Sequence, residues 1–395
     1  MTRTIVLMPG DGIGKIVLAE AIRVLQAVRF DAEYVFADIG WRHWCTEGNP
    51  LPDRTLKLLR QHKVGLFGAI TSKPQAEAAA ELAPELQDRG LQYYSPIVGL
   101  RREFNLDVCI RPCRTFPGNP LNFVQRGSDE KILEPEIDVV VFRQNTEGLY
   151  CGVEWTDPPE QVRRAFSTHP KFKSFEGVPG EELAITCRIF TRAACERILR
   201  AAFKYAQKFG YKSVTLCEKP NVMRATGGMF REVAKVVAKD FPGIALWETN
   251  IDAQMMWLTK NPAEYGVIVA SNMFGDIGSD GFAGLIGGLG FAASANIGQD
   301  VAVFEPTHGS APKYAELDPP IVNPCAMILS AAMMLTHLEE REMAQRIYEA
   351  IGGVIKEGRV CTYDMLFLKG GPEVIEQGAA TTAEMTSAII GKLST

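Results

Sequence analysis

The 395-residue chain lacks the marks of several whole classes of protein. Its nine cysteines are scattered from Cys45 to Cys361 in an odd count with no short repeating framework, so a disulfide scaffold is not expected and the thiols read as reduced. Cys109 and Cys113 are the nearest pair, but no His-rich or Cys-rich cluster accompanies them, which argues against structural zinc. Surplus positive charge is missing as well. With a net charge of −5 the chain advertises no phosphate-binding surface for nucleic acid. Apolar runs stop short of the roughly 18 to 20 residues that a membrane helix needs, even at 326–335 and in the Gly-rich 282–295. The opening MTRTIVLMPGDGIG has too short an apolar run for a secretory signal, so a cytoplasmic location is expected, or a matrix one after removal of a presequence. No internal repeat is present. What remains is ordinary globular composition, 46% hydrophobic and 23% charged, at a length that suits two domains.

Short apolar runs alternate with amphipathic stretches. Thr4–Met8 precedes PGDGIG and a helical 15–28, Val64–Phe67 precedes GAITS, Val139–Phe142 precedes RQNTEGLY, and Val267–Ala270 precedes SNMFGD. This order predicts an α/β fold with largely parallel strands, in which function sits where strands end and loops begin. The pattern breaks at 150–180, a polar segment rich in Pro, Lys, Arg and Glu, which reads as an arm packing on another subunit or as a linker. Helical patterning returns over 324–356.

Four groups of residues could carry chemistry. The loop Gly10-Asp11-Gly12-Ile13-Gly14-Lys15 fits neither the dinucleotide nor the P-loop spacing, and by itself is a tight strand-to-helix turn. Asp276 and Asp280 stand four apart, so a helix starting near Gly275 sets both carboxylates on one face; with Asp252 they form an oxygen-only set suited to Mg²⁺ or Mn²⁺, or else solvated helix acids. Arg101, Arg111 and Arg143 lie in apolar surroundings, and their convergence would imply a polycarboxylate ligand. Tyr150 and Lys219 are candidates for proton transfer, since a phenol or an ammonium set among cations is expected to have a depressed pKa.

Together the motifs resemble the metal-dependent β-decarboxylating dehydrogenases, the isocitrate, isopropylmalate and homoisocitrate dehydrogenase family. The resemblance runs in order over nearly the whole chain: PGDGIG at 9–14, LRREFNLDVCIRP at 100–112, RQNTEGLYCGVEW at 143–155, EKPNVMRATGGMF at 218–230, NMFGDIGSDGFAGLIGG at 272–288 and FEPTHGSAPKY at 304–314. It implies a large discontinuous α/β domain, 1–106 with 287–395, around a smaller α/β domain, 107–286, whose arm at about 150–190 joins a homodimer with shared active sites. It further implies that Asp276, Asp280 and Asp252 of the partner subunit hold the metal, which chelates the substrate's 2-hydroxyl and adjacent carboxylate. Lys219 of the partner subunit would take the hydroxyl proton, hydride would pass to the nicotinamide, and Tyr150 would protonate carbon after CO₂ leaves, with the three arginines anchoring carboxylates. Some members of this family are regulatory subunits; retention of Tyr150, Lys219 and the three aspartates favours an enzyme.

Substrate choice is expected from the segment before LRREF. Ser95 stands where isocitrate enzymes aim a serine at the γ-carboxylate, which disfavours the isopropyl group of isopropylmalate. Isocitrate, a tricarboxylate, is the first reading. Ile97 replaces the asparagine usual two positions on, and FGAITSKPQ with its insertion to Tyr94 keeps homoisocitrate or another 3-substituted malate as the alternative. For the cofactor, Thr71, His308, Gly309, Lys313, Tyr314, Asn323 and Tyr363 form the expected set. Lys313 and Tyr314 stand where NAD enzymes commonly place an acid, and so favour NADP over NAD, although Phe367 replaces the arginine expected four residues after Tyr363. Gly227 also stands where the family commonly has an acid.

Overall fold

A computed structural model describes residues 3–127 and 130–393; the ends of the expected large domain, 1–2 and 394–395, lie outside these. The apolar runs become strands of one ten-stranded sheet: β1 (Arg3–Gly10), β2 (Ala32–Phe36), β3 (Val64–Ala69), β4 (Val108–Arg114), β5 (Asp138–Gln144), β6 (Ser213–Glu218), β7 (Ala245–Asn250), β8 (Val267–Ala270), β9 (Ala293–Ile297) and β10 (Ala302–Pro306). Their order across the sheet is β7-β6-β8-β5-β4-β9-β10-β3-β1-β2. Two parallel wings, β7-β6-β8-β5 and β10-β3-β1-β2, run in opposite senses and meet through three antiparallel pairings around β4 and β9. The expected α/β class with mainly parallel strands is what the chain adopts, with the antiparallel seam as an addition. β3, β6, β8 and β10 are buried along their whole length, as parallel strands covered on both faces must be.

Helices cover the faces. α1 (Gly14–Ala27) follows β1, α2 (Pro96–Glu103) precedes β4, and α3 (Arg192–Phe209) and α4 (Thr226–Val237) flank β6. α5 (Ile251–Lys260) and α6 (Asn272–Leu285) leave the ends of β7 and β8. The C-terminal third supplies α7 (Cys325–His337), α8 (Arg341–Glu357) and α9 (Thr382–Leu393). The helix bearing Asp276 and Asp280 therefore starts at Asn272, three residues before Gly275. One apolar cluster joins α1, α7, α8 and α9 to the sheet, a second lies between α3 and α4 and the strands β5, β6 and β8, and a third lies under β1 and β3. Among the described residues no helix is long and apolar enough to cross a membrane.

The β1–α1 connection is the tight turn that its glycines suggested. Gly10 and Gly12 have φ of +67° and +52°, and a Cβ on Gly10 would run into the carbonyl of Ala69. The polar segment is ordered rather than featureless. A two-stranded ribbon, Glu154–Thr156 against Ala184–Thr186, closes over a helix at Glu160–Ser167. Of residues 151–190 only Pro158 is buried, so this ribbon has almost no core of its own.

Candidate active site

Three loops meet beyond the C-terminal ends of the parallel strands β1, β3 and β10, where an open α/β sheet forms its ligand crevice. Asp11 N donates to Ala69 O at 2.8 Å, Ile13 N to Ser310 O at 2.9 Å, and the Thr71 and Ser310 hydroxyls are 2.7 Å apart. The Asp11 carboxylate ties the crevice together by accepting from Trp41 N and Thr71 N. Burial holds His308 below the usual imidazole range. Its Nδ1 lies 3.0 Å from the Gly309 carbonyl, which can only accept, so Nδ1 carries the proton and Nε2 is a bare acceptor. Among the described residues that Nε2 is buried without a partner.

A cationic corner stands further out. Lys313 Nζ lies 4.5 Å from the Tyr314 ring centroid, and the Tyr314 and Tyr363 rings are 5.6 Å apart. Lys313 and then Tyr363 draw the Tyr314 phenol down. One ammonium and two hydroxyls in this grouping fit a ribose phosphate; Phe367, 73% exposed, adds no charge. The Asn323 side chain serves the local fold, donating to Asp364 Oδ2 and accepting from Cys325 N, both at 3.0 Å.

In the other wing, Arg143 at the end of β5 is 2% exposed, and Arg111 on β4 is buried beside it. Gly275 allows α6 to approach, because a Cβ there would stand 2.8 Å from Arg143 Cβ. Asp276 Oδ1 accepts from Arg143 Nη1 at 2.8 Å and Arg111 Nη1 at 3.1 Å. Arg111 Nη1 also reaches Asp280 Oδ1 at 3.1 Å and Ser279 Oγ at 2.8 Å. Tyr150 donates to Asp276 Oδ2 at 3.0 Å, with its ring centroid 5.1 Å from the Arg143 guanidinium carbon. The expected depression of the phenol does not hold. Burial, followed by the Asp276 carboxylate, pushes Tyr150 up and outweighs Arg143 and Arg111.

Two guanidiniums here face two carboxylates. Burial and the adjacent Arg111 press the Arg143 guanidinium down. Burial and then Asp276 raise Asp280 against the pull of Arg111. Among the described residues Arg111 Nε is buried with no acceptor. Arg101 completes the basic set from α2, donating to Asn296 Oδ1 at 3.0 Å and Glu305 Oε1 at 3.1 Å in a network that Asn145 joins. Ser95 caps the start of α2, partly exposed.

Lys219 and Asp252 leave the ends of β6 and β7 and pair with each other, which holds the Asp252 carboxyl below its usual range. They do not join Asp276 and Asp280. Among the described residues no three acids or other metal-binding side chains come together, so one chain brings two carboxylates to the candidate metal position. Those two, a helical turn apart and supplying only oxygen, fit a hard divalent ion, with room in its coordination sphere for a third ligand from outside the chain.

Several supporting residues carry no motif signal. Asn296, Glu305 and Ser279 are buried polar groups on strands or a helix, and Asn145 lies just past the end of β5, so periodicity treats them as exceptions and gives them no role. Glu218 is 1% exposed on the side chain and pairs with Arg188 at 2.7 Å; its Oε2 also accepts from Lys219 N. A Cβ on Gly227 would stand 3.3 Å from that same Oε2, so an acid at 227 would crowd the Glu218 carboxylate.

The family described as isocitrate/isopropylmalate dehydrogenase matches residues 4–389. A 3-isopropylmalate dehydrogenase of Methanothermobacter thermautotrophicus is 39% identical over 90% of this chain and 92% of its own length. An isocitrate/homoisocitrate dehydrogenase of Thermus thermophilus is 36% identical over 100% of this chain and 99% of its own. The solved isocitrate dehydrogenase of Methylococcus capsulatus superposes with a TM-score of 0.80 at 34% identity, covering both chains completely. The chain spans 58% of the length of protein DlpA of Legionella pneumophila, to which it is 37% identical.

Proposed function

The chain belongs to the isocitrate/isopropylmalate dehydrogenase family, and from that premise we propose that it oxidises and decarboxylates a 3-substituted malate, isocitrate foremost, with NADP and a divalent ion. The observation that carries this reading is the convergence of the Arg111 and Arg143 guanidiniums on Asp276, with Arg101 within electrostatic reach of Arg143. Converging guanidinium forks recognise carboxylates bidentately. Arg101 provides the third cation for a substrate with several carboxylates.

Asp276 and Asp280, with Asp252 of the partner subunit, would hold Mg²⁺ or Mn²⁺, which when bound polarises substrate oxygens as a Lewis acid, while NADP accepts the hydride. Lys219 of the partner subunit takes the substrate hydroxyl proton on Nζ. Tyr150 keeps its proton on Oη, within reach of the Asp276 side, and delivers it to carbon at the end. His308 Nε2 and the Lys313–Tyr314–Tyr363 corner hold the adenosine end.

A second copy of the chain completes the site. This is supported by Met256, Trp257 and Ile277, which stay 40–50% exposed on α5 and α6. The ribbon at 150–190 has an outward face for the same copy. A division into 1–106 with 287–395 and 107–286 belongs to the same proposal, supported by the two parallel wings of the sheet. On substrate, Ile97 is buried in the third apolar cluster and offers no polar contact, leaving Ser95 alone to meet a γ-carboxylate.

The test is a panel of isocitrate, homoisocitrate and isopropylmalate against NADP and NAD, followed by nicotinamide absorbance with and without chelator. The expected result is chelator-sensitive NADP reduction, with kcat/KM for isocitrate about tenfold or more above the others. Failure of every malate to reduce either cofactor would overturn the reading.

A further inference from the structure

Side chains alternate between the two faces of a strand. On β4, Cys109, Arg111 and Cys113 face the arginine site, so Val108, Ile110, Pro112 and Arg114 face the opposite way. On β9, Ser294 and Asn296 contact Cys109 and Arg101 on the site face, so Ala293, Ala295 and Ile297 face away. These outward residues form the floor of a cavity of about 950 Å³, within the range of small-molecule sites. One wall is α3, through Arg197, Ala201, Lys204, Tyr205 and Lys208. The other is α8, through Arg341, Ala344, Gln345 and Tyr348. Spacings of three and four put each group on a single helical face. The Lys208–Glu339 ion pair, 2.9 Å, links the walls at the rim.

Most of the rim cations are already matched. Arg197 pairs with Asp107, Arg200 with Glu196 and Asp240, Arg341 with Glu339 and Arg114 with Asp138. Lys204 has no ion pair among the described residues, and the Tyr205 and Tyr348 hydroxyls have no hydrogen-bond partner there. Burial raises both phenols, which keeps them neutral O–H donors. The cavity thus combines an apolar floor with one unmatched ammonium and two unmatched hydroxyl donors.

The geometry points to a binding site for an amphiphilic monocarboxylate, its hydrocarbon body on the β4–β9 floor between Tyr205 and Tyr348 and its carboxylate at Lys204 on the α3 wall. The site is separate from the arginine pocket and shares its strands back to back. A neutral lipid would leave Lys204 without a counter-charge.

Calorimetric titration of the full chain tests this, with decanoate as the chain-like probe, 2-naphthoate as the ring-like probe and decanol as the uncharged control. One decanoate or one naphthoate is expected per chain, the tighter of the two identifying the hydrocarbon shape. Decanol should bind about tenfold more weakly. Lys204→Glu should weaken the carboxylate about tenfold, and Ala201→Trp, which fills the cavity, should remove it. If the tryptophan variant does not fold, Lys204→Gln, which removes the charge at similar length, serves instead, with an expected weakening of about fivefold. No binding of either carboxylate, binding equal to that of decanol, or binding indifferent to these variants would each overturn the proposal.

Discussion

Tyr150→Phe is expected to lower kcat by about 10² to 10⁴ while leaving the KM for the malate within a few fold. The separation of the two constants follows from the geometry. The ring stays where the Arg143 guanidinium packs on it, 5.1 Å from the centroid, so the arginines that bind carboxylates keep their places. What disappears is the hydroxyl that donates to Asp276 Oδ2 at 3.0 Å, the proton donor that the reaction needs once CO₂ has left. Steady-state kinetics on purified protein check this. An unchanged kcat would show that protonation uses another group, and a matching rise in KM would make Tyr150 a binding residue.

Asp276→Asn is expected to reduce kcat/KM by about 10³, the scale of several kcal/mol of charge stabilisation. This carboxylate has two functions. It is an oxygen ligand for the divalent ion, and it is the counter-charge shared by Arg111 and Arg143. The amide is isosteric but neutral, so both functions fail together while the shape is kept. Titration with Mn²⁺ should show affinity weakened by 100-fold or more, a magnitude comparable to the larger losses seen when metal-site residues are altered. Retained Mn²⁺ affinity with lost activity would assign Asp276 to the arginines alone.

The fold was legible where chemistry is local. The runs at Thr4–Met8, Val64–Phe67, Val139–Phe142 and Val267–Ala270 lie within β1, β3, β5 and β8, because all-apolar segments bounded by glycine or polar turns have few alternatives. The antiparallel seam was not legible. β4 and β9 carry Arg111, Asn296 and Ser294 on one face and Ile110 and Ala295 on the other, and nothing in a short alternating strand states the sense of its neighbour. The Asp276–Asp280 pair could be read from its spacing of four. Its engagement with Arg111 and Arg143 could not, since residues from β4, β5 and α6 meet only in three dimensions. The direction of the Tyr150 shift failed for a related reason. The motif shows the arginines but hides how far burial and Asp276 oppose them. The Arg188–Glu218 pair was silent because an acid at the end of a strand ordinarily reads as a solvated turn.

The central claim is that each active site draws Tyr150 from one chain and Lys219 from the other. Co-expression of differently tagged Lys219→Met and Tyr150→Phe chains, followed by isolation of the mixed dimer, tests it directly. Each variant homodimer should be nearly inactive. The mixed dimer carries one site with both groups intact and one with neither, so its activity should be about half that of the unaltered dimer. A mixed dimer as inactive as its parents would show that Lys219 and Tyr150 serve the same chain's site, and would contradict the account.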